Sequence, residues 1–163
     1  NENISFNYFQ NSGLPNIGIR PGIVYGIGRD QGMTSKTTIS LLAAAACKPY
    51  TIPFSGPISA LFAGEVASAF IKAVSKDQEG SYVFDMNGTY SNVEKWVEII
   101  NKIQPSAKIS IDGDPLPFPF DFSDEPLRKH IGDYGFVDLE LGMLQTYNAF
   151  QELLSKGKIT FTG

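Results

Sequence analysis

Residues 17–34, IGIRPGIVYGIGRDQGMT, decide how the whole chain is interpreted. A short apolar run comes first, and Pro21 then interrupts it because proline lacks the N–H that a strand ladder needs. Residues 23–25 resume the β-like run, and a loop punctuated by Gly26, Gly28 and Gly32 follows. The pattern predicts a strand that leads into a glycine-rich turn, which is where α/β proteins place ligand contacts.

The spacing of these glycines imitates a dinucleotide-binding fingerprint but lacks the context of one. The fingerprint requires a strand, a tight glycine turn and the start of a helix, with an acidic residue about 20 positions later. Here residues 29–31 separate the glycines, and the later run LLAAAACK at residues 41–48 contains no carboxylate. From these residues alone, the better interpretation is a flexible loop that joins two elements.

Residues 20–29, RPGIVYGIGR, resemble the RP-x-x-VYG-x-GR segment of the extended short-chain dehydrogenases, the NAD-dependent epimerase/dehydratase family. Four further segments follow the order of that family. Residues 1–13 resemble the end of the helix that carries Tyr-x-x-x-Lys, and residues 61–67 resemble the V-x-D-V-A segment, with Glu65 in place of Asp. Residues 82–86 resemble the Y-N-x-G strand, and residues 139–157 resemble the closing G-x-x-x-T helix. The resemblance implies the C-terminal substrate-binding part of a Rossmann-type fold, without the N-terminal nucleotide-binding half.

The alternation of predicted helices and strands independently indicates an α/β protein. We expect residues 1–34 to be the tail of the Rossmann-type core, with a helix, a strand and the glycine-rich loop. Residues 35–163 should form a mixed α/β substrate-binding subdomain. The clearest helix prediction is residues 91–104, where Ser91 and Glu94 have the spacing of a capping box, Trp96 lies on the apolar side and Pro105 follows the end. We also expect a last helix after Asp138 with Met143 on its apolar side, and a helix over residues 35–46 whose apolar side is Ile39, Leu42, Ala43 and Ala46. Gly13 and Gly157 should end the first and the last helix.

Composition and charge argue against several classes of protein. A chain of 163 residues with 42% hydrophobic and 18% charged residues is expected to fold, and its net charge of −4 argues against a nucleic-acid partner. No apolar run approaches the ~20 residues of a membrane span, and no signal peptide is visible, so we expect a cytoplasmic protein without a membrane partner. The single cysteine, Cys47, excludes an intrachain disulfide; we expect it to be buried, and we expect no metal site.

The catalytic pair of the family is absent from this chain. The resemblance implies a Tyr that acts as general acid and base, with a Lys four positions later. None of the seven tyrosines has such a Lys, and Tyr25 has Arg29 at that spacing only within the glycine loop. We therefore expect no catalytic residue here, and no NAD or NADP binding by this chain alone. The parent protein would be an NAD(P)-dependent epimerase, dehydratase or dehydrogenase.

The resemblance implies that this chain supplies residues at the edge of the cofactor and substrate site. Pro21 and Gly22 would bind the cofactor beside the nicotinamide ring, and Ile23 occupies a substrate-binding position where relatives often carry Asn. At the junction of loop and helix, Arg29, Thr34 and Ser35 would bind an anionic group of the substrate. The alternative for these three residues is helix capping and a surface ion pair with Asp30.

The substrate prediction depends on a missing arginine. Relatives that act on nucleotide sugars carry an Arg about seven residues before the V-x-D-V-A acid, where this chain has residues 58–59, Ile-Ser, and no Arg lies between Asp30 and Arg128. A diphosphate without guanidinium partners would be poorly recognised. We therefore expect a sugar or a sugar acid, as in the erythronate-type subgroup that residues 28–35 and 49–54 resemble. The protein could form a homodimer. The rival hypothesis for its function is a non-catalytic α/β interaction module, since a fold does not fix a function.

Two further segments leave alternatives open. Residues 112–126 are rich in proline and phenylalanine, which is typical of a surface loop fixed by prolines, or of a lid whose aromatic side chains cover a substrate or a subunit contact. In the first helix, we expect exposed apolar side chains among Ile4, Phe6, Tyr8 and Phe9, or their burial against a second copy. His130 is expected to be solvated.

Overall fold

The computed structural model describes residues 2–162; Asn1, which belongs to the first predicted helix, and Gly163 lie outside the described residues. The chain is α/β with parallel strand pairs, as predicted. The helices are α1 (Glu2–Ser12), α2 (Lys36–Ala45), α3 (Ala63–Ser75), α4 (Val93–Ile103), α5 (Glu125–Ile131) and α6 (Leu139–Ser155). The strands are β1 (Asn16–Pro21), β2 (Ile23–Tyr25), β3 (Tyr50–Ile52), β4 (Pro57–Phe62), β5 (Ser81–Met86), β6 (Thr89–Asn92) and β7 (Ile109–Ile111).

The strands form three small sheets. β1 pairs with β5 in parallel, with Asn16 opposite Ser81 and Pro21 opposite Met86. β2 is parallel to β4, which is also antiparallel to β6, and β3 is parallel to β7. Because β1 belongs to the predicted range 1–34 and β5 to 35–163, the two ranges share a sheet. Their division into separate units stays a prediction.

The β1–β5 sheet lies between two helical layers. Ile17 and Ile19 pack into a core with Ala69 and Ala73 of α3 and with Leu127 of α5. Successive side chains of a strand point to opposite faces, and α1 covers the other face, where Gly18 and Arg20 lie. None of the helices within residues 2–162 combines the length and the apolar character that crossing a membrane requires.

A second core surrounds Trp96 of α4, which is fully buried between α2 and β2. Its indole N–H donates to the Ser40 hydroxyl over 3.1 Å, and its ring meets Tyr25 edge to face at 5.0 Å. Of the residues expected on the apolar side of α2, Ala43 is buried, but Ile39 and Leu42 are only half-buried. The buried side also carries hydroxyls, because Ser40 donates to the Thr37 carbonyl within the helix and accepts from Trp96.

Helix α1 has no buried residue in this structure. Ile4, Phe6 and Tyr8 are 59%, 52% and 63% exposed, which confirms the predicted exposure, and Phe9 is half-buried. Gly13, with φ of +68°, follows the helix and donates its N–H to the Phe9 carbonyl over 2.8 Å. The predicted glycine stop after this helix is therefore confirmed.

Two local predictions were wrong. Cys47 is exposed rather than buried, because it follows α2 in the left-handed conformation (φ +53°), and its N–H donates to the Ala44 carbonyl. Helix α5 was missed because Pro126 suggested a loop, although proline fits the first turn of a helix. At the end of α6, the expected stop at Gly157 is confirmed by its N–H donating to the Leu154 carbonyl.

The N-cap of α4 lies one residue later than the sequence predicted. Ser91 lies in β6, opposite Ile58, and the side chain of Asn92 accepts from the Lys95 N–H over 2.6 Å. Asn92→Ala should therefore lower the free energy of unfolding by about 1 kcal/mol, because the first turn loses its acceptor. Ser91→Ala is the matched control and should change it by less than about 0.5 kcal/mol in the same denaturant titration. The reverse ranking of these two variants would restore the capping box that the sequence suggested.

Candidate functional site

A cavity of about 820 Å³ opens at the carboxyl ends of β1 and β5. Ligands of open α/β sheets bind at this edge, in the crevice beyond the ends of parallel strands. The cavity is lined by Arg20, Pro21, Gly22, Ile23, Val24, Arg29, Thr34, Ser59, Asp85, Phe118, Pro119, Phe120 and Phe122. All the predicted binding residues except Ser35 are therefore brought to one cavity, although their roles stay predictions.

The corner between β1 and β2 is formed by the backbone at Gly22. Its N–H donates to the Met86 carbonyl over 3.0 Å. A Cβ at this position would lie 2.6 Å from the Ser59 hydroxyl and 3.0 Å from the Ser59 carbonyl oxygen. Glycine is needed at position 22 because the backbone there approaches Ser59 too closely for a side chain.

Ser59 holds this corner from the adjacent strand β4. It is 1% exposed, and its hydroxyl donates to the side-chain carbonyl of Asn87 while accepting from the Gly88 N–H over 2.9 Å. The hydroxyl therefore has its partners within the protein and is not free for a ligand. Sequence reasoning noticed Ser59 only as the place where relatives carry Arg, and it missed this supporting role.

Arg29 extends from the glycine loop toward Thr34. One guanidinium nitrogen donates to the Thr34 hydroxyl over 3.0 Å, and another donates to the Gln31 carbonyl. Within residues 2–162, neither Asp30 nor any other carboxylate lies within ion-pair distance of Arg29. The alternative ion pair with Asp30 is thus not formed, and the positive charge at the cavity is balanced by no carboxylate among these residues.

Ser35 does not reach the cavity. Its side chain is fully buried, and its hydroxyl donates to the Gly32 carbonyl over 2.8 Å. Although Ser35 precedes α2 directly, its side chain makes no capping hydrogen bond, and Thr34 lies within a short 3₁₀ turn, Met33–Ser35. Ser35 is therefore placed to hold the shape of the glycine loop behind Arg29.

The opposite wall comes from the proline-rich loop. Phe118, Phe120 and Phe122 line the cavity, which favours the lid interpretation of this loop over that of a plain surface segment. No local pattern in the sequence could show that these rings face residues 21–24, because the contact joins segments about a hundred residues apart.

A second pair of charges lies at the rim. Arg20, at the end of β1, lies 3.5 Å from Asp85 at the end of β5 and 3.3 Å from Glu2 of α1. Asp85 is the only carboxylate among the described lining residues, and the lining contains no Tyr, Lys or His. Nor do the described residues bring together three side chains that could ligate a metal ion. The cavity can thus bind and orient a ligand, but its own side chains offer little acid–base chemistry.

His130 lies outside this cavity. It is half-buried rather than solvated, because its ring packs against Tyr82 and Phe84 at 4.7 and 4.9 Å between centroids. Its Nε2 lies 2.8 Å from the Gln78 side-chain oxygen. Burial and the nearby Lys76 lower the pKa of His130, so the neutral ring is favoured.

Glu65, the residue that stands for the acid of the V-x-D-V-A segment, is buried and links two parts of the fold. One carboxylate oxygen accepts from the Phe62 N–H over 3.0 Å, and the other accepts from the Val137 N–H over 3.1 Å. Burial raises the pKa of Glu65, although these two N–H donors and the positive charge of Arg128 act against that shift.

The raised pKa of Glu65 predicts a specific pH dependence of stability. Above the ordinary Glu pKa of about 4.3, the unfolded state releases its proton first, so the free energy of unfolding should fall as the pH rises toward the folded-state pKa. Glu65→Gln should lack this component, which is at most about 1.4 kcal/mol per pH unit. Denaturant titrations of both proteins from about pH 4 to about pH 8 measure the difference. Parallel pH profiles of the two proteins would contradict the assignment.

No protein-family model and no curated protein matches this chain, but solved structures do. UDP-glucose 4-epimerase of Thermotoga maritima, solved with UDP-glucose, matches with a TM-score of 0.78 and 19% identity over 94% of this chain and 51% of its own. UDP-glucuronic acid 4-epimerase of Bacillus cereus, in complex with UDP-glucuronic acid and NAD, gives 0.78 and 18% over 93% and 50%. dTDP-glucose 4,6-dehydratase of Bacillus anthracis, in complex with NAD, gives 0.75 and 18% over 91% and 49%.

These similarities establish the fold. The chain has the α/β fold of the extended short-chain dehydrogenases, so the resemblance drawn from residues 20–29 is confirmed at the level of structure. The chain spans about half the length of the solved structures it matches.

Proposed function

We propose that this chain, which has the fold of an extended short-chain dehydrogenase, is the substrate-binding half of an NAD(P)-dependent oxidoreductase, epimerase or dehydratase. The observation that carries the proposal is the cavity at the ends of β1 and β5, which gathers Pro21, Gly22, Ile23, Arg29 and Thr34. On this proposal the chain is inactive alone, because neither the Tyr-x-x-x-Lys pair nor the nucleotide-binding fingerprint is present in its sequence.

The cofactor would meet this chain only at its nicotinamide end. Pro21 and Gly22 offer a close, largely apolar backbone corner that fits a flat ring, and the Gly22 N–H is already bonded to Met86. The glycine loop of residues 26–32 carries Arg29 and leads into a 3₁₀ turn rather than directly into a helix, so it does not fit the pyrophosphate. When bound, NAD or NADP would accept or return a hydride at the ring.

The substrate would be a sugar or a sugar acid held by its anionic group. Arg29 and Thr34 can bind a carboxylate together, because the guanidinium has no carboxylate partner within residues 2–162 and the hydroxyl lies 3.0 Å from it. Residues 58–59, where a diphosphate-binding Arg would stand, are both buried, and the Ser59 hydroxyl is bonded to Asn87 and Gly88. This supports a free acid, as in the erythronate-type subgroup, over a nucleotide sugar, with Ile23 offering contact but no hydrogen bond to a hydroxyl.

A second candidate function is a non-catalytic α/β interaction module. The observation that favours it is the set of exposed apolar side chains on α1, since Ile4, Phe6 and Tyr8 are each more than half exposed. The same surface suits the leading proposal, because it could be covered by the nucleotide-binding half or by a second copy in a homodimer. The surface alone therefore does not separate the two functions.

Calorimetry with NAD on this chain alone tests the proposal. We expect no tight binding, because this sequence contains no fingerprint that could hold the pyrophosphate; a micromolar dissociation constant would contradict this. The sequence encoded upstream of Asn1 separates the two functions. A Tyr-x-x-x-Lys pair a few residues before Asn1 would support the enzyme, and its absence there would favour the interaction module.

A further inference from the structure

The cavity is chemically divided into an aromatic wall and an anion-binding corner. The aromatic wall consists of Phe118, Phe120 and Phe122, which line the cavity together with Pro21 and Ile23. The anion-binding corner consists of Arg29 and Thr34. Only Arg20 and Asp85 add further charge, and they neutralise each other across 3.5 Å.

We propose that this cavity selects a carboxylate carried on a ring, with the apolar face of the ring against the aromatic wall and the carboxylate on Arg29 and Thr34. The inference rests on the proposed function and narrows its substrate class from any sugar acid to a cyclic one, which sets aside open-chain acids of the erythronate type. A saturated sugar ring and an aromatic ring share the relevant chemistry, because each presents a flat face of carbon and hydrogen to the phenyl rings.

Ring selection follows from how few polar groups remain free around the cavity. The Ser59 hydroxyl is saturated by Asn87 and Gly88, and the Gly22 N–H is bonded to the Met86 carbonyl. An open-chain acid with a hydroxyl on nearly every carbon has no apolar face, so it would press unpaired hydroxyls against phenyl rings. Burying hydroxyls without partners is unfavourable, whereas a ring can turn its apolar face to the wall and its hydroxyls away from it.

The aromatic wall is held in place at both of its ends. Before it, the Ser55 N–H donates to the Asp114 carbonyl over 3.3 Å, and Leu116 is 8% exposed within the main core. After it, the Glu125 N–H donates to the Ser123 hydroxyl over 3.1 Å at the start of α5. With prolines fixing φ between these ends, the three rings are positioned before a ligand arrives.

The test is a set of calorimetric titrations on the protein that carries this chain. Glucuronate and benzoate supply a saturated and an aromatic ring with a carboxylate, gluconate is the open-chain acid, and methyl glucoside is a ring without a carboxylate. We expect at least one ring carboxylate to bind about three- to tenfold more tightly than gluconate, which is the range of one ring-on-ring contact. Tighter binding of glucuronate supports the sugar acid of the proposed function, whereas tighter binding of benzoate would support ring selection and overturn the sugar as the ring.

A paired substitution assigns the preference to the aromatic wall. Phe120→Leu keeps the wall apolar and close to its volume, so folding is preserved, but it removes a ring and should bring the affinity for ring carboxylates close to that for gluconate. Phe136→Leu is the control, since Phe136 is 68% exposed and does not line the cavity. It should leave every affinity unchanged.

Each other outcome overturns a stated part of the account. Equal binding of gluconate and the ring acids, or a ring preference that survives Phe120→Leu, would overturn ring selection and leave the proposed function standing. Methyl glucoside binding as tightly as glucuronate would overturn the carboxylate contact at Arg29. Failure of every acid to bind, with NAD present or absent, would overturn ring selection together with the proposed function.

Discussion

Arg29→Ala should raise the Michaelis constant for a sugar-acid substrate about ten- to a hundredfold in the protein that carries this chain. The variant removes a charged hydrogen bond, which typically contributes about 1.5–3 kcal/mol, or that range of affinity. The guanidinium is well placed for this contact, because it lies 3.0 Å from the Thr34 hydroxyl and has no carboxylate partner among residues 2–162. Thr34→Ala should act in the same direction by a smaller factor, because its contact is uncharged.

The controls separate substrate binding from general damage. NAD affinity should stay nearly unchanged in Arg29→Ala, because Arg29 does not belong to the proposed nicotinamide corner of Pro21 and Gly22. Lys48→Ala removes an exposed cation after α2 that does not line the cavity, and it should leave the kinetics unchanged. Steady-state kinetics of the three proteins measure this, and an Arg29→Ala enzyme with wild-type kinetics would refute the anion-binding corner.

Gly22→Ala should lower the free energy of unfolding by about 1–3 kcal/mol, which is the usual penalty of overpacking. The new Cβ would lie 2.6 Å from the Ser59 hydroxyl and 3.0 Å from its carbonyl oxygen, and Ser59 is held by Asn87 and Gly88 and cannot move freely. The displaced strand would also move the proposed nicotinamide corner. We therefore expect weaker cofactor binding in the protein that carries this chain.

Gly18→Ala, in the adjacent strand β1, is the matched control. A Cβ at Gly18 would lie 3.4 Å from a Val83 methyl group, which is ordinary van der Waals contact, so its effect should be small. Ser59→Ala in the Gly22→Ala background removes the oxygen that clashes most closely, and the pair should be less destabilised than the sum of the two single variants. Additive denaturation energies in this cycle, or equal losses at Gly18 and Gly22, would argue against a close approach at Gly22.

The sequence predicted only those lining residues of the cavity that lie in one contiguous stretch. Residues 21–34 are contiguous, so one stretch, interpreted with its family resemblance and its junction of loop and helix, was enough to name Pro21, Gly22, Ile23, Arg29 and Thr34, which all line the cavity. Ser59, Asp85 and the aromatic wall come from distant segments. The parallel pairing of β1 with β5 brings Asp85 to the cavity and that of β2 with β4 brings Ser59 there, and no local pattern encodes this pairing. The aromatic wall reaches the cavity from the loop between β7 and α5.

Within the elements, apolar periodicity predicted the buried sides of α4 and α6 but not that of α2. Trp96 and Met143 are fully buried as expected, because apolar side chains determine those helices. In α2 the buried Thr37 and Ser40 hydroxyls bond carbonyls of the preceding turn, which compensates for their burial and hides them from a pattern based on hydrophobicity. The short helix α5 was not predicted, since the Pro126 in its first turn is a residue type that is typical of loops.

The central claim is that the cavity serves an NAD(P)-dependent reaction on a free acid rather than on a nucleotide sugar. The most direct measurement compares kcat/KM for a free sugar acid with kcat/KM for UDP- and dTDP-sugars, using the protein that carries this chain at one cofactor concentration. We predict a higher value for the free acid, because Ser59 supplies no charge for a diphosphate while Arg29 and Thr34 can hold a carboxylate. A faster reaction with either nucleotide sugar than with any free sugar acid would contradict it.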